Sequence, residues 1–287
     1  TGISPLLFAT ILSALTGIII AGGIHRIANF AAIVVPFMAI AYLFLAVYVM
    51  AVNITEIPNV LVLIVSDAFG FEQAAGGAIG ITITQGVKRG LFSNEAGEGS
   101  APNAAATAET SHPVRQGLVQ ALGVFTDTIV VCTCTAMIIL TTGVYEKGDA
   151  DGIILTARSL ETVIGPLARH FISIAIFFFA YSSIIGNYYY AETSMRFVFK
   201  KGRAISTFRA ITVGTVILGG IFSLEEIWAL IDLCMCSVVI INVYSIVRLS
   251  PKVVFLWNNF KEQMKEGKEP VFKKEMMKEG QEDIEGW

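Results

Sequence analysis

Long uncharged, apolar stretches constrain this chain more than any other feature. Phe30–Val52 and Phe171–Tyr190 hold no Asp, Glu, Lys or Arg. At about 1.5 Å per residue, each can cross the ~30 Å apolar core of a bilayer as a helix. Leu6–Gly22, Leu118–Thr142, Ala210–Phe222 and Ile227–Val247 are further apolar runs, the second and fourth each interrupted by one Asp, and Phe71–Gln85 is a weaker one. These runs predict an all-α polytopic membrane protein with about seven transmembrane helices. Only 15% of the 287 residues are charged, against about a quarter in soluble domains. The net charge is −3, and no basic cluster points to nucleic acid, although Arg196–Arg209 is basic.

Between the runs, Asn53–Phe69 carries Glu56, Pro58 and Asp67 and reads as an interfacial segment; Tyr145–Arg158 reads as a polar loop. Many of the charges lie after Pro251, so the chain divides into a membrane domain over residues 1–250 and a charged, solvated, partly helical tail over 251–287. Thr1-Gly2-Ile3 leads straight into an apolar run with no signal-peptide layout, as expected of a chain whose N-terminus lies upstream. Lys and Arg set the orientation. Arg26, Lys88, Arg89, Arg115, Arg196, Lys200, Lys201, Arg203, Arg209, Arg248 and Lys252 fall on one side of seven alternating spans; Lys147, Arg158 and Arg169 fall on the other, among acids. The first side is expected to be cytoplasmic, with the C-terminus in the cytosol and the spans in the cytoplasmic (inner) membrane.

The stretch from Gly86 to Pro113 is polar and rich in glycine, including Gly90, Gly97 and Gly99, which disfavours continuous helix up to Pro102. Pro102 is expected to open a short helix over Asn103–Thr110, with Ser100 as its cap. Just before it, Phe71–Gln85 contains Gly76, Gly77 and Gly80, then Thr82, Thr84 and Gln85. A span of such low helix propensity is tolerated where neighbours or a cavity satisfy its backbone.

Few residues inside the spans carry chemistry. Asp127 lies about ten residues, or roughly 15 Å, into its run. A charge at that depth costs about 2.5–3.5 kcal/mol on insertion scales. Two readings stand open: a cation ligand or proton carrier, or an acid tied to neighbouring threonines that fixes helix packing. Ser182 and Ser183 place two hydroxyls at mid-span, either as ligands for a hard monovalent cation or back-bonded to their own helix. Tyr188-Tyr189-Tyr190 reads as an interfacial aromatic belt. The four cysteines form two C-x-C pairs inside apolar runs, where packing is a better account than a thiolate metal site. The three histidines have no nucleophile at a useful spacing and no phosphate-binding loop is present, so neither an enzyme nor an ATP-driven motor is expected.

Gly90-Leu91-Phe92-Ser93-Asn94-Glu95-Ala96-Gly97 followed by Gly99-Ser100-Ala101-Pro102 resembles the signature of the alanine/glycine:cation symporters. Gly22-Gly23-Ile24-His25-Arg26, Val35-Pro36-Phe37, His112-Pro113-Val114-Arg115, Phe125-Thr126-Asp127-Thr128 and Trp228-Ala229-Leu230-Ile231-Asp232 carry the resemblance along the membrane part. Glu98 stands where the family often has Met, and Asn187 where an aromatic is common. The resemblance implies sodium-coupled symport of alanine or glycine, no cofactor beyond Na+ as coupling ion, and part of a leucine-transporter-like inverted-repeat fold. Its sixth helix, at Phe71–Gln85, would be discontinuous, and the first helices would be absent from this chain. It assigns substrate binding to Gly76, Gly77, Gly80, Thr82, Thr84 and Asn187, cation binding to Ser182 and Ser183, and a conformational role on the cytoplasmic side to Phe92, Asn94, Glu95, Gly97 and Gly99. The expected partners are Na+, a small neutral amino acid, the lipid bilayer and the missing N-terminal helices. An uncoupled channel or receptor, and a structural fragment inactive without its N-terminal half, are the rival readings.

Overall fold

The computed structural model describes residues 4–69, 79–95, 97–148, 152–199, 202–222 and 224–277. Among these, every regular element is helical. The first helices are α1 (Pro5–Ala21), α2 (Gly23–Val52), α3 (Ile57–Ala68) and α4 (Ile79–Asn94). A short α5 (Ala101–Ala105) precedes α6 (Pro113–Phe125), a π-helical turn (Thr126–Val131) and α7 (Cys132–Thr142). Then come α8 (Gly152–Ile164), α9 (Leu167–Val198), α10 (Gly202–Leu218) and α11 (Leu224–Lys265). Among the described residues, four segments are long and apolar enough to cross a membrane: His25–Val52, Pro113–Thr142, Arg169–Val198 and Ile227–Lys265. α1 is apolar but has only 17 residues. α3, with 12, is too short to span, as expected of an interfacial segment.

The chain forms two compact units: Thr1–Asn94 with Thr126–Leu224, and Glu95–Phe125 with Glu225–Trp287. In the first, α1 packs along α10. Ala9, Ser13 and Gly17 repeat every fourth residue, and such small side chains let two helix backbones approach closely. Ala9 and Ser13 are buried, the Ser13 hydroxyl donates to the Val213 carbonyl at 2.7 Å, and a Cβ on Gly17 would lie 3.6 Å from Val213. Two apolar cores hold the rest. Ala46 and Val49 of α2 meet Cys134 and Ile138 of α7, Leu160 of α8 and Ile172 of α9. Ile20 of α1 and Ile27 of α2 meet Tyr181, Ile185 and Tyr188 of α9.

Several expectations need correction. Residues 145–158 do not form a loop: a 3-10 turn (Val144–Lys147) leads into α8. Thr156, Ser159 and Leu160 fall at i, i+3 and i+4, so one face is buried despite its polar composition. The helix expected over Asn103–Thr110 is instead Ala101–Ala105, and Ser100 does not cap it; the Ser100 hydroxyl donates to Glu95 at 2.7 Å. α11 runs straight through Pro251. A proline cannot bond the carbonyl four residues back; here that carbonyl, Val247, accepts from the Ser250 hydroxyl at 2.8 Å. The tail is not simply solvated: Pro270, Phe272 and Met277 are buried.

Candidate functional site

In the first unit, α9 carries most of the candidate residues. The Ser182 and Ser183 hydroxyls both donate to the Phe179 carbonyl, at 2.8 and 3.0 Å. This disposes of their protons and leaves their oxygen lone pairs, the part of a hydroxyl that ligates a cation. Ser182 is half-buried; Ser183 is exposed, and Asn187, four residues on along the same face, is exposed with it.

One turn further along α9 lies a cluster that sequence reasoning missed. Glu192 is fully buried. Its carboxylate accepts from the Tyr188 hydroxyl, from Arg196 Nε at 2.8 Å and from Arg209 Nη2 of α10 at 3.2 Å. Arg209 Nε also donates to the Tyr188 oxygen at 3.1 Å, and the Tyr188 ring stacks on Phe208. Tyr188 is therefore not part of an exposed aromatic belt; it is buried and hydrogen-bonded. The signal was available in the spacing Tyr188-x3-Glu192-x3-Arg196, which stacks three polar groups on one helix face.

At the end of α4, two residues of the signature reach the π-helical turn. Asn94 Nδ2 donates to the Thr128 hydroxyl at 2.7 Å, and Ser93 Oγ lies 3.4 Å from Asp127 Oδ2 and 3.1 Å from Cys132 Sγ. Ser93 has one proton, so when it donates to Asp127 the Cys132 thiol donates back to Ser93. Asp127 itself is exposed. A π-turn offsets the carbonyls from the regular ladder, and such turns recur at functional sites. Gly80, Thr82 and Thr84 belong to α4, with Thr84 exposed; Gly76 and Gly77 lie outside the described residues.

The second unit holds the rest of the signature as a left-handed loop. Glu95, Gly97 and Gly99 have φ of +54°, +74° and +95°. Asn242 of α11 donates to the Gly97 carbonyl at 3.0 Å, and Asn103 to the Gly99 carbonyl at 3.1 Å. A Cβ on Gly99 would stand 2.8 Å from Asn242 Cγ, so glycine is required both for its φ and for space. Burial, helped by the neighbouring Glu95, pushes the Glu98 carboxyl above the usual carboxylate range. Phe92, at the end of α4 in the first unit, is partly exposed.

The described residues thus combine four segments long and apolar enough to cross a membrane with a glycine-rich signature loop. The profile of the sodium:alanine symporter family, a family of transporters, matches residues 1–274, and the chain belongs to that family. It is 46% identical over its whole length to the probable sodium/glutamine symporter GlnT of Bacillus subtilis, covering 60% of that protein. It is 44% identical to the amino-acid carrier protein AlsT of the same organism, over 94% of this chain and 58% of the relative. It is 38% identical to the sodium/alanine symporter AgcS of Methanococcus maripaludis, over 88% of this chain and 56% of the relative. The chain thus spans little more than half the length of these relatives. No solved structure matches it.

Proposed function

We propose that this chain is the larger part of a sodium-coupled symporter for small neutral amino acids, alanine or glycine before others. The observation that carries the reading is the family membership, with relatives named as sodium symporters for alanine and glutamine. The open α9 face of Ser182, Ser183 and Asn187 supports it with oxygen lone pairs suited to a hard cation. The glycine-rich approach to α4 is where a discontinuous helix of a leucine-transporter-like fold would offer free backbone groups to a zwitterion. In this reading Gly76, Gly77, Gly80, Thr82, Thr84 and Asn187 line the substrate site, and Asp127 is a further cation ligand or a structural acid. The exposed apolar side chains of α2, such as Phe37 and Phe44, then face lipid or helices supplied from upstream of Thr1.

Uptake of radiolabelled alanine, glycine and glutamine by the full-length gene product, with and without sodium, tests the reading. Sodium-dependent accumulation of alanine or glycine is expected; preference for glutamine would move this chain to the other named specificity. In the same assay, Ser182→Ala with Ser183→Ala should raise the sodium concentration for half-maximal uptake roughly tenfold, about 1.4 kcal/mol. Saturating sodium should restore alanine affinity by linkage. An unmoved sodium curve would return both serines to ordinary back-bonding.

The orientation is testable separately. Ala108 is exposed on the signature loop. In a background freed of the four native cysteines, Ala108→Cys should react with an impermeant thiol reagent in inside-out vesicles and not in intact cells. Labelling of intact cells would invert the proposed topology.

A further inference from the structure

His112, at the start of α6, is completely buried. Its Nδ1 accepts the Val114 N–H at 3.2 Å and its carbonyl the Arg115 N–H at 3.0 Å, so it caps the helix. With Nδ1 accepting, the proton sits on Nε2, which donates to Asn259 Oδ1 of α11 at 3.3 Å. The ring stands edge-on to Phe260 of α11 and Phe272 of the arm that follows α11, with centroids 5.1 and 5.7 Å away.

Around this ring the arm is fastened to the loop. Ser111 Oγ donates to the Pro270 carbonyl at 3.0 Å, and the Phe272 N–H to the Ser111 carbonyl at 2.9 Å. Gln263 bonds both the N–H and the carbonyl of Val271 at 3.0 Å, while its amide also donates to Asn259 Oδ1 at 2.8 Å. Arg115 pairs with Glu269 at 3.0 Å on the exposed rim. Since Asn242 of α11 also holds Gly97, the closed arm and α11 grip the signature loop at both ends.

We propose that this arm is a proton-released latch, with His112 as its pin, that restrains the loop of residues 97–115. Protonation needs a hydrogen on Nδ1, where the Val114 N–H already points, so it removes the cap. It also places a cation at the positive end of a helix and out of contact with water. The ionisable groups nearest in sequence on the surrounding elements are Glu109 on the loop, Arg115 on α6, Lys252, Lys261, Glu262 and Lys265 on α11, and Glu266, Lys268, Glu269, Lys273, Lys274 and Glu275 on the arm. The ring nitrogens themselves meet only Asn259 and the Val114 amide among the described residues, so neither has a carboxylate to support its charge. Burial pushes the imidazole below its ordinary value and Arg115 adds to this, against the Asn259 hydrogen bond. A folded value below the unfolded ~6.5 means that latch stability is complete above about pH 6.5 and is lost as pH falls through the folded value. That the sensed pH is the cytosol's rests on the orientation proposed above; the measurement below does not.

Spin labels at Ala108→Cys and Glu275→Cys, both exposed, report the loop-to-arm distance in the full-length, otherwise cysteine-free protein in lipid nanodiscs. Titrated from pH 7.5 to 5.0, the distribution should change from narrow to broad and long, with a midpoint below about 6.5. His112→Gln should give one distribution, narrow or broad, independent of pH. Glu269→Gln, which touches only the rim pair, should keep the transition. A pH-independent distribution in the unsubstituted protein would overturn the proposal. So would a transition that survives His112→Gln or disappears with Glu269→Gln, since the proton would then act elsewhere.

Discussion

Replacing Arg196 and Arg209 together by methionine should destabilise the membrane domain by about 3–5 kcal/mol, the usual cost of leaving a buried carboxylate without its counter-charges. Glu192 is fully enclosed, and its remaining partner would be the Tyr188 hydroxyl, which cannot balance a charge. The arginines themselves are half and about one-quarter exposed, so each reaches water when the acid is removed instead. Glu192→Met should therefore cost much less than the double arginine change, and adding it to that change should recover most of the loss. Thermal melting of purified protein in detergent, run as a cycle over the three variants, measures both terms. Equal losses for Glu192→Met and the double arginine variant would mean that packing of α9 on α10, rather than the buried charge, sets the stability there.

Gly99→Ala should open the signature loop while leaving the rest of the chain folded. At φ +95° any side chain is strained, at about 1–3 kcal/mol. The new Cβ would also lie 2.8 Å from Asn242 Cγ and 3.0 Å from its Cβ. Asn242 must then move and lose its bond to the Gly97 carbonyl, worth about 0.5–1.5 kcal/mol more. Hydrogen exchange over residues 97–105 should accelerate, with little change in α2 or α9. Adding Asn242→Ala should relieve the contact with Cγ and leave the backbone strain together with the tight 3.0 Å approach to Cβ. Gly90→Ala is the control: a Cβ there meets nothing within 4 Å, so the change should be neutral or slightly stabilising in α4. Faster loop exchange in both glycine variants would show that glycine flexibility in general, and not the geometry at Gly99, governs this segment.

The sequence by itself determined the all-helical class, four of the expected apolar spans and the family. Each depends on local properties: run length, absence of charge, and a motif read along the chain. Through the family signature it also singled out Glu95, Gly97 and Gly99, which the structure holds at positive φ, the two glycines without the steric cost that Glu95 carries. It misplaced residues 145–158, whose polar letters hid an amphipathic face that only packing against α7 and α9 explains. It passed over Glu192 and His112 for the same reason. A lone acid near a cluster of basic residues, or a lone histidine in a polar stretch, has no meaning until the residues that enclose it are known. Arg209 lies 17 residues from Glu192, and Phe272 lies far beyond His112 in the chain. Only the tertiary structure decided that these residues meet, because desolvation and hydrogen bonding act through space and leave no period in the sequence.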